Sequence, residues 1–339
     1  MPKPPLIKHI ILLVFTLLVV LFFITYSGML SHITYYHEQH HLFLFSKSYF
    51  TSTIHSGGLL DYITNFIIQF FYYSWLGSLL MALLLASVYL LIAFSAQRIS
   101  GKTDFLQLGL LPVIYLFIKA LSVDYNVSFI VAWLFPLSVI AVSVSVFSGR
   151  LKYIIAVAGC LALLTFVPWK IITFAIIATS LSATSAHFLR NRKIKHHIVI
   201  TLLAIISYSG AGYYFLSNHY QVGEKYMVLV KKNANEGKWE ETIYMANRYI
   251  SSGRKNVLML YYRNIALFHT GRLADNMFNV PQVFGTTSLC FPWRSNSRET
   301  EYGFDAYYEL EHWNAAQRCC SRRLPKRCRA DLSAAASGS

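Results

Sequence analysis

Carboxylates are scarce in the first two thirds of this chain. Residues 1–217 hold four Asp or Glu, and only 13% of the whole sequence is charged. Residues 62–97 contain no Lys, Arg, Asp or Glu at all. Soluble globular domains carry about twice that share of charge, whereas polytopic membrane proteins do not. Nucleotide-binding signatures are missing too, with neither a P-loop nor a G-x-G-x-x-G. The five cysteines form no C-x-x-C pair, which removes the commonest thiolate metal site. Cys160 reads as packing within a span. Cys290, Cys319, Cys320 and Cys328 fall in a part expected on an oxidising side, where disulfides can form.

What is present is hydrophobicity: 55% of the residues are apolar and mean hydropathy is +0.44. Seven apolar segments are read as spans, at residues 10–26, 75–95, 105–123, 127–147, 153–167, 171–186 and 198–216. The first follows Lys3 and Lys8, and Thr25-Tyr-Ser27 does not resemble a signal-peptidase site, so it is expected to stay as an uncleaved span. Residues 62–97 are too long for one crossing of about 20 residues. A split near Ser74-Trp75 leaves residues 62–73 as an interfacial stripe of Ile63, Phe66, Ile67, Phe70 and Phe71, anchored by Tyr72, Tyr73 and Trp75. The competing reading is one long tilted helix. Segment 105–123 is expected to bend at Pro112, with Lys119 snorkelling to the headgroups. Segments 153–167 and 171–186 meet at Pro168-Trp169-Lys170, as two thin spans or a re-entrant hairpin.

The net charge of +15 invites a nucleic-acid reading, but its distribution excludes one. Residues 1–217 carry thirteen Lys or Arg, ten of them within 1–9, 97–104, 148–152 and 187–197. These segments alternate as loops of one face should, and basic short loops stay cytoplasmic. The run 187–197, with Arg190, Arg192, Lys193 and Lys195, is the strongest of the four markers. It puts the N-terminus inside, and loop 28–61 and everything beyond residue 217 outside. That outer face is periplasmic on the working assumption of a bacterial inner membrane. Residues 218–317 are nearly neutral, with eleven basic and ten acidic residues.

This last region carries a repeat. Gly237-Lys-Trp-Glu-Glu-Thr-Ile-Tyr244 aligns with Gly271-Arg-Leu-Ala-Asp-Asn-Met-Phe278 at an offset of thirty-four residues. Period and residue types resemble the tetratricopeptide repeat (TPR), in which Gly relieves crowding where one helix turns into the next. Apolar helices are expected before each copy, at 226–230 and 258–268. A third partial copy, Tyr307 to Arg318, has Glu311 where the Gly would stand, and its forty-residue spacing implies an insertion around 281–293. An unrelated helical hairpin is the alternative. From Cys319 the register fails, and residues 319–339 read as a disordered basic tail, truncated or frameshifted from a longer array.

The expected fold is therefore all-α: a polytopic domain over 1–217 with about seven spans, then TPR-like repeats over 218–318. Two constellations could carry chemistry. His37-Glu38-Gln-His-His41 formally fits H-E-x-x-H and resembles zinc metalloproteases in these five residues, with His37 and His41 as ligands, Glu38 as base and His55 or Asp61 as third ligand. Gln39 and His40 depart from the apolar or small residues those families place there. The layout, a first outer loop with Glu38 and Asp61, interfacial residues 62–73 and an outer repeat domain, is similar to that of GT-C membrane glycosyltransferases with lipid-linked donors. No D-x-D pair accompanies it, and an ordinary solvated loop is the plainer reading of both acids. Asn126-Val-Ser128 formally fits a glycosylation acceptor at a span boundary.

The whole chain to about Arg318, including Tyr35-Tyr-His-Glu-Gln-His-His-Leu-Phe-Leu-Phe45 and Gly57-Gly58…Gln69-Phe-Phe71, resembles uncharacterised bacterial polytopic proteins that join a multi-span half to a TPR-like half. That resemblance implies no established activity. The resulting expectations are an integral inner-membrane protein whose partners are the bilayer and a protein or peptide bound at the repeats. The alternatives are a glycosyltransferase acting on a lipid-linked glycan and a zinc hydrolase. The sequence demands no cofactor.

Overall fold

The computed structural model describes residues 5–41, 43–102, 104–190, 197–290, 304–315 and 317. The described residues are helical with no strands. They divide into two units, one running to Tyr220 and the other from Gln221 onward, with Gln39–His41 counted in the second. Most of the basic run 187–197 and the tail from 318 lie outside the described residues.

In the first unit, α1 (Pro5–Gly28) is followed by α2 (Ser31–His40), α3 (Lys47–Ile68) and a 3-10 turn (Gln69–Tyr72). Then come α4 (Ser74–Ser100), α5 (Leu110–Lys119), α6 (Ser128–Val146), α7 (Leu151–Ala162), α8 (Trp169–Arg190) and α9 (His197–His219). Five helices are long and apolar enough to cross a membrane: Ile10–Gly28, Ser74–Ser100, Ser128–Val146, Trp169–Phe188 and Val199–His219.

The hub is α4, which packs against α1, α5, α6 and α8. Small residues on a helix let neighbouring backbones approach closely. Gly77, Ser78, Ala82, Ala86, Ala93 and Ala96 supply the small buried surface that lets neighbours approach. The helix begins where the charge-free run was expected to split. Tyr73 is extended (φ −87°, ψ 108°), ending the 3-10 turn before Ser74, so residues 62–97 are not one long helix. A Cβ on Gly77 would stand 3.0 Å from the Phe71 Cα, so the elbow needs glycine there.

Two expected spans are shorter than a crossing. Segment 105–123 becomes the ten-residue α5, with Pro112 in its first turn rather than at a bend. Lys119 is exposed in the last turn of α5, where a cation suits the helix dipole. Segment 153–167 is α7 plus a 3-10 turn ending at Thr165, fifteen residues in all from Leu151. Its expected twin α8 is instead a full-length helix. Asn126 Oδ1 accepts from the Ser128 N–H at 2.9 Å in the turn that leads into α6.

Loop 28–61 is helical rather than irregular. Within α3, Gly58 has φ 81° and ψ 178°, a conformation open to glycine, and it divides the helix into limbs 47–57 and 59–68. Asn65 Nδ2 donates to Tyr49 Oη at 3.0 Å although sixteen residues separate them. A straight helix would hold them about 24 Å apart at 1.5 Å per residue, so the limbs fold back on each other. Phe43, Tyr49, Phe50, Tyr62 and Phe66 fill the angle, with ring centroids 5.0–5.6 Å apart for Phe43–Tyr62, Phe50–Tyr62, Phe43–Phe66 and Phe43–Tyr49. The expected stripe is split: Phe66 and Phe70 are exposed, while Phe71 is buried.

In the second unit, α10 (Val222–Asn235) and α11 (Trp239–Ser251) form one helix pair. They are followed by α12 (Val257–His269), the single-turn α13 (Leu273–Asn276) and α14 (Phe304–Glu309). Asn256 caps α12 by accepting from the Leu258 N–H at 2.9 Å. The segment after Gly271, which aligns in sequence with the start of α11, is shorter than α11: α13 passes into a 3-10 turn at Met277–Asn279 and stops. Pro281 explains the stop, because it drives Val280 to extended backbone (φ −126°, ψ 137°).

Candidate functional site

The residues singled out for chemistry lie on α2, just beyond its end and on the two limbs of α3. His37 is buried on α2 with its ring edge-on to Tyr36, at 6.0 Å between centroids. Glu38, next on the helix, is half-buried. Helix α2 closes at His40, which puts His41 just beyond its end. His55 is exposed on the first limb of α3, and Asp61 is half-buried on the second. Among the described residues, no three His, Cys, Asp or Glu side chains are grouped to hold a metal ion. Cys160 and Cys290 are unpaired, and burial raises the Cys290 thiol above its ordinary value.

Two polar clusters that the sequence reading passed over are better built. The first seats the loop after α4. Asp104, 6% exposed, accepts from the Leu106 and Leu108 N–H groups at 3.0 and 2.9 Å and from the Ser185 and Ser182 hydroxyls at 2.7 and 2.8 Å. Every bond is charge-assisted, and together they tie the loop to α8. Beside it, the Tyr89 hydroxyl donates to Gln107 Oε1 at 2.6 Å. Gln107 has φ 52°, a conformation costing about 1 kcal/mol or more in a residue with a side chain, and these bonds hold it there. This is a lock on the bundle, with its carboxylate fully occupied by donors.

The second cluster lies in the repeat unit. Arg263, on α12, is 2% exposed. Its Nε donates to Asn247 Oδ1 at 2.6 Å, Nη2 to the Asn276 carbonyl at 3.0 Å and Nη1 to the Met277 carbonyl at 3.3 Å. Burial pulls the guanidinium below its ordinary value, and no carboxylate is paired with it among the described residues. It borders a cavity of about 570 Å³ between α11 and the α12–α13 turn. Ile243, Ile250, Leu267, Val280 and Pro281 give the walls their apolar part; Asn247, Arg263, Arg272, Asn276 and Asn279 give the polar part. Arg272 pairs with Glu240 at the rim.

The signals were faint in both cases. Asp104 is the one acid between residues 62 and 123, yet its partners lie 78 and 81 residues away. Arg263-Asn264 interrupts an otherwise apolar stretch from Val257 to Phe268, which marks a buried charge.

The turns on either side of this cavity share one geometry. Gly237 and Gly271 both have φ 69°. At the first, the Gly237 N–H donates to the Ala234 carbonyl and the Lys238 N–H to the Asn233 carbonyl; at the second, Gly271 donates to Phe268 and Arg272 to Leu267. Every donor and acceptor is displaced by thirty-four residues. Glu311 has φ 57° and donates to Tyr308, while His312 donates to Tyr307, which repeats the pattern with a residue other than glycine. Helices α10, α11 and α12 pack on one another in sequence.

A family model described as a family of unknown function (DUF6057) matches residues 3–232 and 219–322. No curated protein and no solved structure matches the chain.

Proposed function

The chain belongs to DUF6057, and from that premise we propose that it is an integral protein of a bacterial inner membrane whose outer, TPR-like repeats dock a protein or peptide partner. The observation that carries the reading is the turn repeated at thirty-four residues, with the same left-handed glycine and the same pair of closing hydrogen bonds at Gly237 and Gly271. Stacked helix pairs of this period present extended surfaces to partners and contain no reactive groups of their own. Exposed Tyr244, Phe278 and Trp313 supply the large aromatic surface that interfaces favour. For the membrane half, support comes from the five helices of spanning length. With the N-terminus taken as cytoplasmic from Lys3, Lys8 and the run 187–197, an odd number of crossings would set the repeats on the periplasmic side.

Co-purification of the full-length protein from native membranes tests the docking. The expected result is a discrete partner protein that is lost when Tyr244 and Phe278 are both replaced by Ser, at unchanged amounts of membrane protein. Retention of the same partner by the double variant overturns the reading, and so does recovery of lipid-linked sugar in place of protein. A topology reporter fused after Ser217 is expected on the outer side; a cytoplasmic signal overturns the arrangement.

A further inference from the structure

A groove of about 510 Å³ opens where the start of α1 lies against the end of α4. Leu90, Phe94, Gln97, Arg98 and Gly101 line it from one face of α4, at spacings of three and four residues. Ile11 and Leu12 line it from α1, and no acidic side chain is among the seven. Arg98 is exposed, and its Cζ stands 5.3 Å from the Phe94 ring centroid. Neither Arg98 nor the Gln97 amide makes a side-chain hydrogen bond or ion pair among the described residues, so their N–H donors are unspent.

Depth fixes what reaches this groove. The rise from Trp75 to Arg98 along α4 is about 35 Å at 1.5 Å per residue, against a hydrocarbon core of about 30 Å. With Trp75 at one interface, Arg98 falls in the phosphate layer of the opposite leaflet, while Leu12, Leu90 and Phe94 stay beside the acyl chains. A helix C-terminus carries about half a negative charge and by itself repels an anion. Here the Gly101 N–H and the Ser100 hydroxyl donate to the Gln97 and Ala96 carbonyls, and Arg98 and Lys102 add two positive charges.

We propose that this groove seats one anionic phospholipid of the bilayer, its phosphate on Arg98 and the Gln97 amide and an acyl chain along Leu12, Leu90 and Phe94. Charge sets the class: a zwitterionic headgroup brings its own cation to the same place, where Arg98 and Lys102 repel it. The inference rests on the membrane part of the reading above and not on docking at the repeats.

Native mass spectrometry of the purified full-length protein tests it, from micelles doped with equal amounts of dioleoylphosphatidylglycerol and dioleoylphosphatidylcholine. The expected result is one phosphatidylglycerol per protein, retained at least about tenfold over phosphatidylcholine. Arg98→Gln is expected to remove the preference at an unchanged melting temperature. Arg98→Lys, which keeps the charge but not the planar fork, is expected to lower it about three- to fivefold. Arg150→Gln removes an exposed charge outside the groove and is expected to leave the preference as it is. Equal retention of the two lipids overturns the inference, as does no retained lipid, wild-type preference in Arg98→Gln, or equal losses in Arg98→Gln and Arg150→Gln. Release of the lipid by millimolar inorganic phosphate also overturns it, since that marks a site for a free anion. Pelleting with membranes after an alkaline carbonate wash reads the membrane assignment separately, so either can fail without the other.

Discussion

Replacing Asp104 by Ala is expected to destabilise the first unit by about 3–5 kcal/mol, the largest effect of any single change in the apolar half. The carboxylate accepts four hydrogen bonds in a buried setting, and each buried donor left without a partner costs roughly 1–3 kcal/mol. Some of that is recovered by water entering beside the exposed Lys102 and Leu106, which keeps the sum below the additive figure. Asp104→Asn retains one acceptor oxygen and should cost about half as much. Denaturation in mixed micelles, followed by tryptophan fluorescence, reads both. The loss should couple to Ser182→Ala in a double-mutant cycle by about 1 kcal/mol or more, because the hydroxyl and the carboxylate meet only in the folded bundle. An Asp104→Ala protein that denatures within about 0.5 kcal/mol of the wild type, the range of an ordinary surface change, would mean that the loop is held by packing alone.

Arg263→Ala is the corresponding change in the repeat unit. It removes three hydrogen bonds, leaves the Asn276 carbonyl and Asn247 Oδ1 without that donor (the Met277 carbonyl keeps Gln282 Nε2), and opens a void beside the cavity already there. About 3–4 kcal/mol is expected from the orphaned acceptors and the void together. The damage should be local first. Residues 273–289 are held to α12 by Arg263 and by Asn264, whose Nδ2 donates to the Ser288 carbonyl at 3.1 Å. Limited proteolysis of the full-length protein is expected to show early cleavage within 277–289 while α10 and α11 stay resistant. Uniform loss of resistance across the unit would show that the arginine supports the whole array rather than its short turn.

The spans were legible because they are defined by what they exclude. Five stretches free of charge became helices of crossing length, and the break at Tyr73 followed from a run too long to cross once. What could not be read was set by contacts distant in sequence. Segment 105–123 looked like a span because its composition is apolar. Asp104, however, draws residues 104–109 into a loop through serines on α8, and α5 begins only at Leu110. The polar interval 28–61 hid a helical hairpin. Gly57-Gly58 was visible there, but the aromatic rings that hold its limbs together come from both sides of the bend.

The thirty-four-residue spacing was legible at the turns of Gly237 and Gly271, whose positive φ favours glycine, and less so between them. Pro281 was placed in an insertion, yet its effect reached back to shorten α13. Of the candidate site residues, His37, Glu38, His41, His55 and Asp61 were chosen by motif, and their burial, from buried His37 to exposed His55, could not be read from it. Arg263 and Asn247 were invisible as a pair, since the bond between them spans sixteen residues and a turn.

Helix α12 is buried at every position from Leu258 to Leu267, on all faces. Neighbours reach it from both directions along the chain. It packs with α10 and α11 on the N-terminal side; on the other, Tyr262 Oη donates to Asp305 at 3.0 Å and Tyr261 Oη accepts from the Ala306 N–H at 2.8 Å. An array in which each pair touches only the next unravels from its ends, so this helix should be the last to open. Amide hydrogens along 261–267 should therefore exchange most slowly, with rates rising outward toward α10 and, more steeply, toward the six-residue α14. Cooperativity in this half of the molecule thus has a centre of its own, set by one helix with no face left for solvent.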